Sequence, residues 1–463
     1  MKTIAFLLGI NLFFSLHAQE KYDTSVFDKL WADPEIENRI QEGIEQNRKG
    51  YATLTVVDME GKKIPEASLE INQISHEFLF GANSFMVNGF KTPEENNLYE
   101  ESFAKVFNFA SVPFYWKDIE PKQGTYLFDK NSPKVYRRPA PDIVVEFCEK
   151  YGLKMKGHTL IWCSESASLP EWYPKEDFAF KKALRKRIES IAERYGDQIQ
   201  YWDVANEAYG RDIEVWMPKD FVYYTFKLCE RSFPLENTLI YNEIPEVFLM
   251  NNGEKHAYLF RHKNEYSQLY LHIKSLLERG AKVDMIGLQF HLFNHIAKVE
   301  DVFKGKGFSP QTVFQVLDTY GSLGLPLNIS EITFPSLPEG PQGLENQAKL
   351  TRNFYRLFFS HPNMEAITWW NVPDGYAYQG EDKYKAGCLN HDLTPKPSFY
   401  VLDELINKEW RTNLQLKSDI DAQAKFKGFF GKYKITVSYK GKKYEQIIDF
   451  TKKGTHSFKI RLN

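Results

Sequence analysis

From about Glu77 to Ile406, short apolar runs alternate with longer stretches in which apolar residues recur every three or four positions. The short runs predict eight strands: FLFGAN (Phe78–Asn83), FASVPF (Phe109–Phe114), LKMKGHTLIW (Leu153–Trp162), IQYWDVANE (Ile199–Glu207), TLIYNE (Thr238–Glu243), VDMIGLQFH (Val283–His291), LPLNISE (Leu325–Glu331) and AITWWNV (Ala366–Val372). Stretches such as PEENNLYEESFAKVF and YSQLYLHIKSLLERG lie between them and predict amphipathic helices. Eight strand-and-helix repeats predict an α/β fold, a (β/α)8 TIM barrel over residues 76–408. An open doubly wound sheet alternates in the same way. It is disfavoured because no Gly-rich loop follows the first strand, and polar residues gather at the C-terminal ends of strands three to seven, which meet at one mouth only in a barrel.

The flanks follow a different period. Residues 19–49 read as a helical or linker segment, whereas residues 50–75 alternate apolar and polar side chains, predicting two strands joined by the turn MEGKKIP. Residues 412–463 predict several more strands, including KYKITVSY, KYEQIIDF and HSFKIRL. Isolated hairpins bury too little to stand alone, so the two flanks are expected to pair into one small accessory β-sandwich. Packing support is its plain role; carbohydrate binding, with Tyr433, Tyr439 and Tyr444 as stacking faces, is the sharper alternative. At the N-terminus, Lys2, the apolar run Ile4–Leu16 and Ala18 form a secretory pattern, predicting a signal peptide over residues 1–18. The run is shorter than the roughly 20 residues that span a bilayer. The mature chain is therefore expected to be an exported monomer with no membrane insertion, periplasmic, cell-surface or secreted.

Composition narrows the partners. With 59 basic and 61 acidic side chains the formal net charge is −2, which offers no electrostatic footprint for nucleic acid or an anionic membrane. The basic run Lys181–Arg187 lies in a helical pattern and reads as a solvated face. Four cysteines, Cys148, Cys163, Cys229 and Cys388, have neither metal-ligand spacing nor the density of a disulfide framework. Cys163 with His158 as base is a poor nucleophile candidate, since no third orienting group stands near in sequence.

Two of the eight strands run straight into a glutamate. YWDVANE ends at Glu207 and LPLNISE at Glu331, and an unpaired charge at the end of an apolar strand is costly unless it faces a cleft. Two carboxylates at one mouth are what glycosidic bond hydrolysis requires, one to protonate the leaving oxygen and one to attack the anomeric carbon. His291, at the end of strand six, is placed to orient one of them by a hydrogen bond.

YWDVANEA resembles the acid/base signature of glycoside hydrolase family 10, usually WDVVNEA, and NISEITF resembles its nucleophile signature, usually ITELDI. GHTLIW, LIYNE, IGLQFH, TWWNVPD and LTPKPSF follow the family's order and spacing across the whole barrel. The resemblance implies a retaining hydrolase of β-1,4-linked polysaccharide, xylan or a decorated xylan, with polysaccharide or oligosaccharide as its partner and no metal or organic cofactor. It assigns Glu207 as acid/base and Glu331 as nucleophile, held by His291. Asn206 would bind a sugar 2-hydroxyl and Trp370 would form an apolar wall. His158, Trp162, Gln289, Asn242, Tyr115 and Tyr378 would also contact substrate. The chain departs from the family where the polar grip ENEMKW becomes SVPFYW (Ser111–Trp116). WHSQ becomes WCSE (Cys163, Glu165), ELD becomes EIT (Thr333), and SW becomes Ala377-Tyr378. These changes leave the catalytic pair and alter sugar selection. A glycan-binding barrel with little catalysis stays open, as does an exo-acting β-glycosidase closed at one end by Asn251–Asn264 or Asn294–Gly307.

Overall fold

The computed structural model describes residues 22–208, 215–248, 267–293, 297–378 and 380–462. The expected signal peptide, residues 1–18, lies outside these residues, as do Asn251–Asn264 and the start of Asn294–Gly307. The strands in chain order are β1 (Lys49–Val57), β2 (Ser68–His76), β3 (Leu79–Asn83), β4 (Phe109–Pro113), β5 (Lys154–Trp162), β6 (Tyr201–Asn206), β7 (Thr238–Glu243), β8 (Met285–His291), β9 (Leu327–Thr333) and β10 (Met364–Trp369). They continue with β11 (Asn413–Lys417), β12 (Gln423–Phe429), β13 (Gly431–Tyr439), β14 (Lys442–Phe450) and β15 (Ser457–Arg461).

Strands β3 to β10 close into an all-parallel barrel, β10 pairing with both β3 and β9. Its strands are the eight that the alternation of runs predicts. β3, β4, β8 and β9 are buried at every residue, as a parallel sheet covered on one face by helices and filled on the other must be. The helix Pro93–Val106 shows how the sequence fixes its shell. Thr92 and Glu95 form a reciprocal capping box, Pro93 opens the first turn, and Tyr99, Phe103 and Val106 turn inward. In β5, Gly157 has no room for a side chain, because a Cβ there would lie 2.2 Å from the Trp202 ring of β6.

Parts of the expected organisation need correction. The helix Asp177–Tyr195 exposes most of its basic run, but Arg187 is fully buried and donates to the carbonyls of Leu160, Thr159 and Phe114. These carbonyls, at the C-terminal ends of strands, give a buried guanidinium the acceptors it needs. Of the two readings of residues 19–49, the structure has the helical one: the helices Ser25–Trp31 and Pro34–Asn47 bury Phe27, Trp31, Ile36, Ile40 and Ile44 in the barrel's core. Finally, β1 and β2 do not form a hairpin. β1 lies between β12 and β15, while β2 lies between β11 and β13 in the facing sheet. A two-stranded ribbon would leave both apolar faces uncovered; in two sheets, Ala52, Leu54 and Val56 meet Leu69, Ile71, Ile435 and Val437 in one core.

The sandwich packs against the barrel end where strands begin. His76 Nε2 lies 2.9 Å from the Ile406 carbonyl, and the His76 ring meets Phe80 of β3 edge-on, the ring centroids 5.4 Å apart. Tyr433 is buried inside the sandwich and bonded to the Phe429 carbonyl, so it offers no stacking face. Tyr439 and Tyr444 lie against the same core. Cys148, Cys229 and Cys388 are buried thiols.

Candidate active site

The opposite end of the barrel holds a cleft of about 360 Å³. His158 and Trp162 reach it from β5, Asn206 and Glu207 from the end of β6, Gln289 and His291 from β8, Glu331 from β9, and Trp370 just past β10. Glu207 has left-handed backbone (φ 48°), which ends the strand and swings its side chain toward the mouth while its N–H donates to the Asn242 carbonyl at 2.9 Å. Between β8 and β9 the register shifts at Leu288/Gln289, so that Gln289 stands beside Glu331 and His291 beside Thr333. Such a shift re-aims side chains into a site.

The two carboxylates share a donor. Gln289 Nε2 lies 2.9 Å from Glu207 Oε1 and 3.2 Å from Glu331 Oε1. The two oxygens are therefore no farther apart than these bonds laid end to end, about 6 Å. Trp162 Nε1 donates to Glu207 Oε2 at 3.2 Å. Glu331 is only 4% exposed, and its Oε1 also accepts from Asn242 Nδ2 at 3.1 Å. His291 Nε2 lies 3.3 Å from Glu331 Oε2, and His291 Nδ1 lies 2.7 Å from Thr333 Oγ1. An ionised carboxylate only accepts, so Nε2 carries the proton that faces it. Thr333 Oγ1 pairs with the other ring nitrogen and fixes the orientation of the imidazole.

Beneath the cleft lies a buried charge network. Asp203 Oδ2 receives His158 Nδ1 at 2.7 Å and lies 3.0 Å from Lys156 Nζ, all three side chains being enclosed. Burial alone would raise the Asp203 carboxyl, but Lys156 and His158 outweigh it and hold it below its usual value. Glu331 behaves alike: burial pushes it up, and the hydrogen bond from His291 with the charges of His158, His291 and Lys156 brings it below the ordinary 4.5. Because the folded value is depressed, the carboxylate persists as pH falls below the ordinary range and is lost only as pH passes through the lowered value. The acid limb of kcat/KM should therefore fall below pH 4.5, and His291→Asn, which removes the leading lowering influence, should move it to higher pH. Rate profiles between about pH 3 and 7 would show this; an unmoved limb would contradict His291 as the residue that keeps Glu331 ionised.

The structure brings together Glu207, Glu331, His291, Asn206, His158, Trp162, Gln289, Trp370, Tyr115 and Tyr378 on this cleft. Asn242, expected against substrate, is instead fully buried behind Glu331, donating to it and to Asn206 Oδ1 at 2.6 Å. Tyr115 is 3% exposed, and the Arg138 guanidinium covers its ring at 3.7 Å. Ser111 and Val112 are wholly buried in β4, so of the three residues that replace the grip only Tyr115 reaches the cleft. Glu165 turns to Tyr173 and Lys175. Surroundings push the Cys163 thiol up, and His158 is engaged with Asp203, which removes the cysteine nucleophile. Residues that the sequence reading missed are Lys156, whose signal is a lysine inside an apolar strand, and Phe85, Arg137, Arg138, Glu381 and Lys383 on the cleft wall.

Among the described residues, no group of acidic, histidine and cysteine side chains has the form of a metal site, and no helix is long and apolar enough to cross a membrane. The profile of Glycosyl hydrolase family 10 matches residues 86–405. Endo-1,4-beta-xylanase B of Paenibacillus barcinonensis is 24% identical over 72% of this chain and 98% of its own length. Anti-sigma-I factor RsgI6 of Acetivibrio thermocellus is 24% identical over 90% of this chain, which spans 48% of that relative. The crystal structure of native xylanase 10B from Thermotoga maritima has the same fold, with a TM-score of 0.56 and 23% identity over 72% of this chain and 96% of the other.

Proposed function

The chain belongs to glycosyl hydrolase family 10, a glycoside hydrolase by class, and we propose that it cleaves a β-1,4-linked polysaccharide of the xylan class with retention of configuration. In this reading Glu207 gives a proton to the leaving oxygen while Glu331 attacks the anomeric carbon. A water then displaces Glu331, losing its proton to Glu207. The observation that carries the proposal is the single amide nitrogen of Gln289 bonded to both carboxylates, which supports a pair close enough to act on one glycosidic bond. The depressed Glu331 supports the nucleophile assignment, since attack needs the ionised form. Oligosaccharide as partner is supported by the relatives named xylanase. The reading takes the enzyme as a monomer and as exported, and the N-terminal apolar run supports the export.

An activated 2-deoxy-2-fluoro β-xylobioside should label the protein once, and peptide mass spectrometry should find the sugar on Glu331. Turnover without any adduct, with product of inverted anomeric configuration, would refute the retaining step. Product sizing on a panel of β-glycans separates the neighbouring readings: monosaccharide alone means exo action, and no release from any glycan means a binding barrel.

A further inference from the structure

The cleft wall opposite Glu207 is built by the loops after β3, β4 and β10, where Phe85, Tyr115 and Trp370 pack together. Onto these rings the loop before the helix Pro141–Tyr151 lays two consecutive arginines. We propose that Arg137 and Arg138 form a site for an anionic substituent on the glycan, a uronate carboxylate or a sulfate ester. The proposal rests on the hydrolase reading and names its substrate class more closely.

Arg137 is only 4% exposed and has left-handed backbone (φ 58°). It donates to the Tyr376 carbonyl and to Asn371 Oδ1 at 3.1 Å, while its buried Nε has no hydrogen-bond partner. No described carboxylate forms an ion pair with it. Arg138 lies 3.3 Å from Asp118 Oδ2, and its Nη1 donates to the Arg137 carbonyl at 2.9 Å. Two guanidiniums thus face one paired carboxylate. Three more carboxyls line the cleft: Glu207 and Glu331 are the reacting pair, held by Gln289, and Glu381 receives Asn371 Nδ2 at 2.9 Å and is pushed upward by burial, which weakens it as a counter-charge. Lys383 adds a third cation to the cleft lining.

A partly desolvated positive charge is expensive to keep unless an anion answers it. Neutral sugar hydroxyls do not require it, whereas the planar fork of a guanidinium matches carboxylate and sulfate oxygens. The position suits a substituent on a neighbouring sugar. Arg138 lies over Tyr115, whose ring centroid is 5.4 Å from that of His158, which is in turn 5.3 Å from Trp370. The anion would therefore sit beside the reacting centre and off it. A purely structural role, fastening the loop, would predict no response to substrate charge.

The test compares kcat/KM on glucuronic-acid-bearing xylo-oligosaccharides before and after reduction of the carboxyl to an alcohol, and on a sulfated β-glycan before and after desulfation. Wild type should favour the charged form in one arm by about tenfold, with the ratio shrinking as salt rises. The responding arm tells carboxylate from sulfate. Arg138→Met should bring the ratio near one, and Arg138→Lys should keep part of it. Equal rates in both arms overturn the proposal. So does a preference that Arg138→Met leaves intact, or a loss in that variant that is equal on charged and neutral substrates. If Arg138→Met does not fold, Arg138→Lys and the wild-type salt response still decide, because a salt-insensitive preference also overturns it. Calorimetry of charged and reduced oligosaccharides on Glu331→Gln reads the site without turnover: tighter binding of the charged form supports the proposal even where no glycan is cleaved, and equal affinity overturns it.

Discussion

Glu331→Gln should lower turnover by about 10⁴-fold or more while leaving the protein folded and able to bind oligosaccharide. Glutamine cannot form the glycosyl ester, so every cycle stops before its first covalent step. It is preferable to alanine because Glu331 is the shared acceptor for Asn242, Gln289 and His291. Truncation would strand these buried donors, at roughly 1 to 3 kcal/mol for each one left unpaired. The glutamine oxygen can take the two amides, and its NH₂ can face His291 once the ring shifts its proton to Nδ1, with Thr333 Oγ1 as acceptor. Steady-state kcat with a thermal melt checks both halves. Activity within tenfold of wild type would remove Glu331 from the nucleophile role.

Glu207→Ala should show a loss that depends on the leaving group. On a glycan, whose sugar alcohol leaves poorly without a proton, about 10² to 10⁴-fold should disappear. On an aryl glycoside with a good leaving group the first step should survive and the intermediate should accumulate, since no base remains to activate water. A small anion such as azide, which needs no base, should restore turnover and give a β-glycosyl azide. Comparison of aryl and glycan rates, with and without azide, is the measurement. Equal losses on both substrates and no rescue would assign Glu207 a positioning role instead.

The barrel was readable because a parallel strand, buried on both faces, is a continuous apolar run, and the helices between carry a different period. Glu207 and Glu331 stood out because each ends such a run, against the cost of burying charge. The sandwich was legible in composition and not in pairing: period two gives the faces of β1 and β2 but not which sheet each joins. Tyr433 could have been placed inside, since it shares its parity in β13 with Ile435 and Val437. Arg187 sits in a helical charge run like any solvated arginine, and its acceptors are carbonyls of distant strands. Arg137 and Arg138 lie in an aperiodic Pro-containing loop, where only tertiary packing decides which side chains reach the cleft. Asn242 has the character of a site residue, but its depth behind Glu331 depends on how β7 meets β8.

The interleaved sheets at the far end of the barrel also bear on synthesis and folding. β1 precedes every barrel strand, yet its parallel neighbour β15 ends at Arg461. The barrel is thus, in topological terms, an insertion inside the smaller module, and that module's apolar centre must wait for the rest of the polypeptide to emerge. Ala52, Leu54, Leu69 and Ile71 spend that interval without their C-terminal partners, exposed to the slow, long-range pairing that leaves β-rich segments open to misassociation. An excised barrel would carry the same liability permanently if it kept β1 and β2, so its boundary belongs after His76.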